Sequence, residues 1–272
     1  MPVVATNTTA NTAILYLNKN AAAESKSLAK LSSGSNIVSA SDDASGLAIS
    51  TTLQSDITVL NQAATNAQQA QSVLETVDGA LSNIADILQR MKSLTAQSLS
   101  GSVDDASRAY IDAEYSQLIS EIDGIVTSTT FNNTPLLDGS YNQDYLVGTD
   151  ATNDVISVDL STVDATTATL AITTGVDTSA NAVTASGEID AAIDLVSSMR
   201  ALVGAYESRF SFRESVIDTS IENLESAKSA IVDVDIATEQ SNYTTQQVLT
   251  EVATAALAQA NQMKTSLLSL VK

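Results

Sequence analysis

The chain has 272 residues, a net charge of −20, and neither cysteine nor histidine. These absences exclude a disulfide frame, thiolate chemistry and histidine-based acid–base or metal sites, and the acidic balance disfavours nucleic acid, whose phosphates need clustered Lys and Arg. Aromatics make up only 4 %, there is no Trp, and Ala, Ser and Thr fill much of the rest, a composition that suits close helix–helix contact better than a thick core.

The acidity is uneven. Residues 109–199 hold no Lys or Arg but fourteen Asp and Glu, so the middle of the chain should face water. The opening stretch MPVVATNTTANTAILYLNK has no basic start, and its apolar run is too short for a secretory signal. No apolar run reaches membrane length. The expectation is a soluble chain without membrane insertion, cytoplasmic or exported by a route that cleaves no signal. No cofactor and no metal are expected.

In chain order, residues 1 to about 12 are rich in Thr and Asn, lack a period and read as disordered when alone. A helix begins at Ile14, with Ile14, Ala21 and Leu28 seven apart and Leu17, Glu24 and Leu31 as a companion row. One seam position is acidic, so this helix needs partners. Residues 31–43 break the pattern around Gly34, and Ser39 or Ser41 is expected to cap the next helix, with Asp42 and Asp43 favouring its N-terminus. Leu53, Leu60, Ala67, Leu74, Leu81 and Leu88 then recur every seven residues. Beside them Ile57 and Ala64 give way to Val77, Ile84 and Met91, as a 3.6-residue helix drifts against a seven-residue repeat. A helix over 42–99 is roughly 85 Å long.

A turn at Gly101 leads to a shorter helix, read from Ile111, Tyr115, Leu118, Ile122 and Ile125 and expected to fold back along the long one. The segment from Phe131 to Ser140 ends it. Residues 141–186 turn to Thr, Val, Asp and Gly, and YLVGTDATNDVISVDL reads as a β-hairpin. The stretch after it is left as short strands or loop. From Glu188 the helical pattern returns, with Ile189, Val196, Val203, Phe210, Ile217, Leu224 and Ile231 all seven apart, accompanied by Ala192, Met199 and Tyr206. Residues 232–242 break it. The closing stretch from Val248 to Lys272 places Leu249, Ala256, Met263 and Leu270 in one row, with Ala253, Ala260 and Leu267 beside it.

The expected fold is mainly α: a long antiparallel helical coiled-coil rod, with terminal helices paired at one end and a small β-hairpin region at the other. Its expected parts are residues 1–41 and 238–272 as an inner helical domain, 42–140 and 187–237 as the long helices of the rod, and 141–186 as its hairpin tip. Slender terminal seams, too weak to stand alone, want further helices to cover them.

This order, with LSSGSNIVSASDDASGLAIS (31–50), ILQRMKSLTAQS (87–98), FNNTPLLDG (131–139), ESRF (207–210) and LAQANQMKTSLLSLVK (257–272), closely resembles bacterial flagellin. The resemblance covers about residues 1–140 and 187–272, and the centre is too short for the large outer domains of the family. It implies a structural, non-enzymatic subunit of the flagellar filament for swimming motility, exported unfolded through the flagellum's own conduit, with terminal helices that order on assembly. Its implied partners are further copies of itself, the flagellar cap, hook-junction proteins, an export chaperone, the export apparatus and a Toll-like receptor. Assembly contacts are then expected at Ile14, Leu17, Ala21, Leu28, Leu249, Val252, Ala256, Ala260, Met263, Leu267 and Leu270.

Gln89, Arg90, Leu94 and Glu114 match positions that the receptor reads in the family, although Ser93 and Thr95 depart from the familiar pattern. The plain alternative is an ordinary helix–helix pair between Arg90 and Glu114. Asp233 with Asp235 and Asp150 with Asp154 lack calcium-loop spacing and read as caps or solvated acids. Tyr206 and Phe210 sit at seam spacing, which favours core packing over a ligand pocket with Phe212. The Ser/Thr surface of 140–186 fits O-linked glycans and plain solubility equally. Two other functions compete: a hook–filament junction protein of the same family, and an enzyme or small-ligand binder built on carboxylates, for which no convergent polar motif speaks.

Overall fold

The computed structural model describes residues 6–270, with side chains through residue 266. It contains five helices and two short hairpins: α1 (Thr8–Ser33), α2 (Ala44–Leu99), α3 (Asp105–Ser128), β1 (Thr130–Phe131), β2 (Thr134–Pro135), β3 (Asn142–Leu146), β4 (Val155–Asp159), α4 (Ser179–Val232) and α5 (Ile236–Leu270). The chain divides into two compact units. One joins the residues up to Ser55 with those from Asn223 onward; the other is Asp56–Glu222.

The second unit carries the larger core. Its α2 rows are buried as their spacing predicts, Leu60, Ala67, Leu74, Leu81 and Leu88 together with Ile57, Val77, Ile84 and Met91. Opposite them α4 buries Ile189, Val196, Val203, Phe210 and Ile217, and α3 adds Ile111, Tyr115 and Ile122. Between α3 and the strands, Asn132 and Asn133 both take positive φ (48° and 63°), the turn geometry that lets β1 and β2 pair through two residues. The predicted hairpin forms with β3 antiparallel to β4 and Tyr145 opposite Ile156. It is fixed by its ends and one edge-on aromatic contact. Arg213 Nε donates to the Val147 carbonyl at 3.1 Å, Asn66 Nδ2 donates to Leu146 O at 3.0 Å, and the Tyr145 ring meets the Phe210 ring edge-on at 5.8 Å.

The loop after the hairpin packs without strands of its own. Glu188 organises part of it, its carboxylate accepting from the backbone N–H and hydroxyl of both Thr173 and Thr174. Burial alone would raise this carboxyl's pKa, but the hydrogen bonds outweigh it and hold the group below its ordinary value.

Three helices start earlier than the apolar periodicity predicts, each because a polar side chain caps it. Asn7 Oδ1 accepts from Ala10 N, so α1 opens at Thr8 rather than Ile14. Thr178 Oγ1 accepts from Asn181 N, and α4 begins at Ser179, within the stretch expected as strand or loop. Asp235 accepts from Ala237 N and Thr238 N, and α5 begins at Ile236, leaving a break of three residues. The cap of α2 is also corrected. Asp43 Oδ1 accepts from Ser45 N and Gly46 N, while the hydroxyls of Ser39 and Ser41 hydrogen-bond to each other. Gly46 is required there: a Cβ would lie 2.5 Å from Asp43 Oδ2 and 2.8 Å from Ile37 Cδ1.

Phe210 has no exposed surface and joins hairpin to helix. Phe210→Ala should lower the unfolding free energy of this unit by about 3–5 kcal/mol, read as a lower urea midpoint; an unchanged midpoint would show that the hairpin is not held through this ring.

Candidate assembly surface

The first unit is built on α1 and α5, which pack antiparallel. Asn7 Nδ2 donates to Ala260 O at 3.1 Å near one end, and Ser27 hydrogen-bonds the Glu239 carboxylate near the other. At the α1 terminus Gly34 caps the helix with φ +71°, and the chain then pairs with the α4–α5 junction through Asn36 N to Val232 O (2.6 Å) and Val234 N to Gly34 O (3.1 Å). Lys26 reaches Asp42 at 2.7 Å, and the other Asp42 oxygen accepts from Val38 N and Ser39 N.

Which rows face inward is unexpected. On α1 the inner positions are Ala10, Leu17, Glu24 and Leu31 with Ala13, Asn20 and Ser27. On α5 they are Glu239, Gln246, Ala253 and Ala260 with Tyr243, Thr250, Leu257 and Lys264. Both rows keep the seven-residue repeat, yet most of their side chains are small or polar. The larger apolar residues lie on the open faces: Ile14 is 42 % exposed and Leu28 53 %, and on α5 Leu249 is 42 %, Val252 57 % and Met263 49 % exposed. Ala21 and Ala256 lie in these same outward rows. Of the expected contact residues, Leu17 and Ala260 instead belong to the internal seam, Ala260 almost wholly covered. Leu267 and Leu270 lie outside the residues whose side chains are described. Sequence reasoning overlooked Leu15, Tyr16, Val248 and Ile236, which are also exposed and apolar. Their signal was present as large apolar residues off the seven-residue rows.

The remaining candidates resolve by position. Arg90 Nε and Nη2 donate to Glu114 Oε1 at 2.8 and 2.6 Å, tying α2 to α3 on the surface beside exposed Gln89. Leu94 is 1 % exposed and packs in the core below them. Asp235 is the α5 cap, and Asp233 accepts from the Ser229 hydroxyl. Asp150 and Asp154 close the β3–β4 turn, Asp150 accepting from Thr152 N and Asp154 pairing with Arg213. Phe210 is buried and Tyr206 half-buried, whereas Phe212 stands out in solvent. Among the described residues no helix is long and apolar enough to cross a membrane.

A paired set of helices at the two chain ends with apolar rows turned outward is an arrangement for contact with more helices. Residues 4–142 match the family model described as the bacterial flagellin N-terminal helical region, and residues 187–271 match that of the bacterial flagellin C-terminal helical region. The chain belongs to the bacterial flagellin family. It is thereby a structural subunit of the flagellar filament, outside the cell. The flagellar filament 33 kDa core protein of Treponema phagedenis is 36 % identical over 262 residues, which cover 91 % of this chain and 92 % of that protein. The flagellin of Bacillus subtilis is 35 % identical over 289 residues, covering 94 % and 95 %. A solved structure of a putative flagellar hook-associated protein from Vibrio parahaemolyticus superposes with a TM-score of 0.59 over 71 % of this chain and 100 % of that one; at 13 % identity it shows the fold alone.

Electrostatics tie the terminal pair of this flagellin to pH. The hydrogen bond from Lys26 holds Asp42 down to about 2 from its ordinary 3.8, and the Ser27 hydroxyl lowers Glu239. Both folded pKa values are depressed, so their contribution is complete above the ordinary carboxylate range and is lost as pH falls through it toward 2. In the polymer, methyl resonances of Ala10 and Ala260 should therefore hold their packed shifts from pH 8 to about 5 and lose them between about 4 and 2; loss on raising the pH instead would contradict this assignment.

Proposed function

We propose that α1 and α5 form the polymerising element of this flagellin, and that neighbouring copies cover their outward rows. The observation that carries this reading is the inversion just described: the chain spends its small and polar residues on its own pair and leaves Ile14, Ala21, Leu28, Leu249, Val252, Ala256 and Met263 uncovered. Covering one such Leu or Met is worth about 1.5–3 kcal/mol. Against this stands about 1–2 kcal/mol of backbone entropy for each residue that assembly orders. A free subunit with fraying terminal helices therefore nucleates poorly and adds readily to an existing end, where several rows are covered together. The net charge of −20 works against close packing of copies, so added salt favours growth.

The chain's role in this reading is mechanical rather than catalytic. Export through the flagellar conduit without signal cleavage suits a chain whose terminal helices are slender and marginal alone, and the cap, hook-junction proteins, export chaperone and export apparatus are its partners on that route. Gln89, Arg90 and Glu114 offer a surface for the Toll-like receptor, and buried Leu94 supports it from beneath.

Leu249→Asp combined with Met263→Asp should leave the monomer folded, since neither side chain is in the internal seam, while raising the critical concentration for filament growth about a hundredfold or more. Sedimentation of seeded assemblies measures this. Filaments forming at the wild-type concentration would remove these rows from the contact. Deleting residues 249–272 should give soluble helical monomer and no filament.

A further inference from the structure

The α1–α5 seam is divided along its length by a polar block. The bonds from Asn7 to Ala260 and from Ser27 to Glu239 set the antiparallel register, which brings Asn20 level with Gln246 and Glu24 level with Tyr243. All four residues are half-buried, and none makes a side-chain hydrogen bond or ion pair among the described residues. Toward one end the seam closes on Ala10, Ala253 and Ala260, and toward the other on the bonded Ser27 and Glu239.

Glu24 is the member of this block that the seam least accommodates. It stands in one row with Leu17 and Leu31, seven residues from each, and a third leucine would make that row continuous. Its carboxylate has no cation to meet. Lys26 and Lys30 reach toward Asp42 and Asn36, and α5 carries no Lys or Arg before Lys264, which lies past Ala260 at the far end. Closing α5 over Glu24 therefore draws a carboxylate out of water without a partner, which opposes pairing. Helix propensity does not explain the residue, since Glu and Leu are nearly equal in it. Solubility does not explain it either, because a carboxylate on the open face would serve that purpose without disturbing the seam.

We propose that Glu24 is a specificity device for assembly: it keeps the α1–α5 seam from closing in the free subunit, so that the seam closes only where neighbouring copies cover the outward rows. With an apolar residue in its place, a free subunit would complete its pair alone and present Ile14, Leu28, Leu249 and Met263 as a finished apolar surface, open to any other copy in solution. With Glu24 present, closure waits for the burial of those residues, and a filament end supplies that burial in the same step. The inference rests on the reading that these helices polymerise, and adds the residue that keeps them from doing so unprompted.

Substitution in the full chain tests it, with one readout on the monomer and one on growth. Glu24→Leu should slow amide exchange across residues 8–33 and 236–270 of the monomer about tenfold and shorten the lag of unseeded growth by a similar factor. Glu24→Gln removes the charge and keeps the polarity, so it should slow exchange by a smaller factor, about threefold. Tyr243→Leu combined with Glu24→Leu should slow exchange by more than the product of the single changes, as residues facing each other across one seam do. Wild-type chain that adds to no seed would overturn the filament reading and this device with it. Wild-type growth on seeds, with exchange or unseeded lag unchanged in Glu24→Leu, would overturn the Glu24 assignment and leave that reading intact.

Discussion

The constraint on which the molecule turns is how α1 and α5 share their surfaces. Two helices of 26 and 35 residues pair mostly through small and polar residues, joined by Leu17, Leu31, Tyr243 and Leu257, and present further Ile, Leu, Val and Met outward. In a protein that works alone this would be inverted, since exposed apolar area is a liability and burial is the main source of stability. Small inner residues let the two backbones approach closely while contributing little hydrophobic stabilisation. The pair is thus well specified in register, through Asn7 to Ala260 and Ser27 to Glu239, yet weak in energy. In the proposed reading, further stability comes from what lands on its outside.

The Asp56–Glu222 unit solves a different problem. It is built conventionally, with most of its Leu, Ile and Val turned in and carboxylates turned out. Its hairpin and the loop before α4 are held by specific polar contacts, Arg213 to Val147 and Asp154, and Glu188 to Thr173 and Thr174. The division of labour follows from composition: bulky apolar residues inside this unit make a stable body, and bulky apolar residues outside the terminal pair make a reactive end.

Much of this was legible in the sequence because coiled helices repeat every seven residues. The α4 row from Ile189 to Ile217 is apolar at every step, and such a row has one possible destination, the core. The rows of α5 were equally visible, but their direction was not. Periodicity says that Leu249 and Met263 share a face, and says nothing about which neighbour covers it. The inner row that α1 contacts mixes Ala253 and Ala260 with Gln246 and Thr250, so its apolar signal is weaker than that of the outward row. Helix starts were missed for a related reason. Thr8–Asn11 and Ser179–Asn181 have poor helix propensity, and a single capping oxygen from Asn7 or Thr178 decides them. Among Gln89, Arg90, Leu94 and Glu114, the surface pairing of Arg90 with Glu114 followed from charge, while the burial of Leu94 followed from a register drift along α2 that carries positions 88, 91, 94 and 98 into the core.

The central claim, that assembly covers the outward rows of α1 and α5, is tested most directly by amide hydrogen exchange on monomer and polymer at equal pH and salt. The account predicts rapid exchange across residues 8–33 and 236–270 in the monomer and strong protection of both in the polymer, with Ile189–Ile217 protected in each state. Equal protection of the terminal helices before and after polymerisation would contradict it.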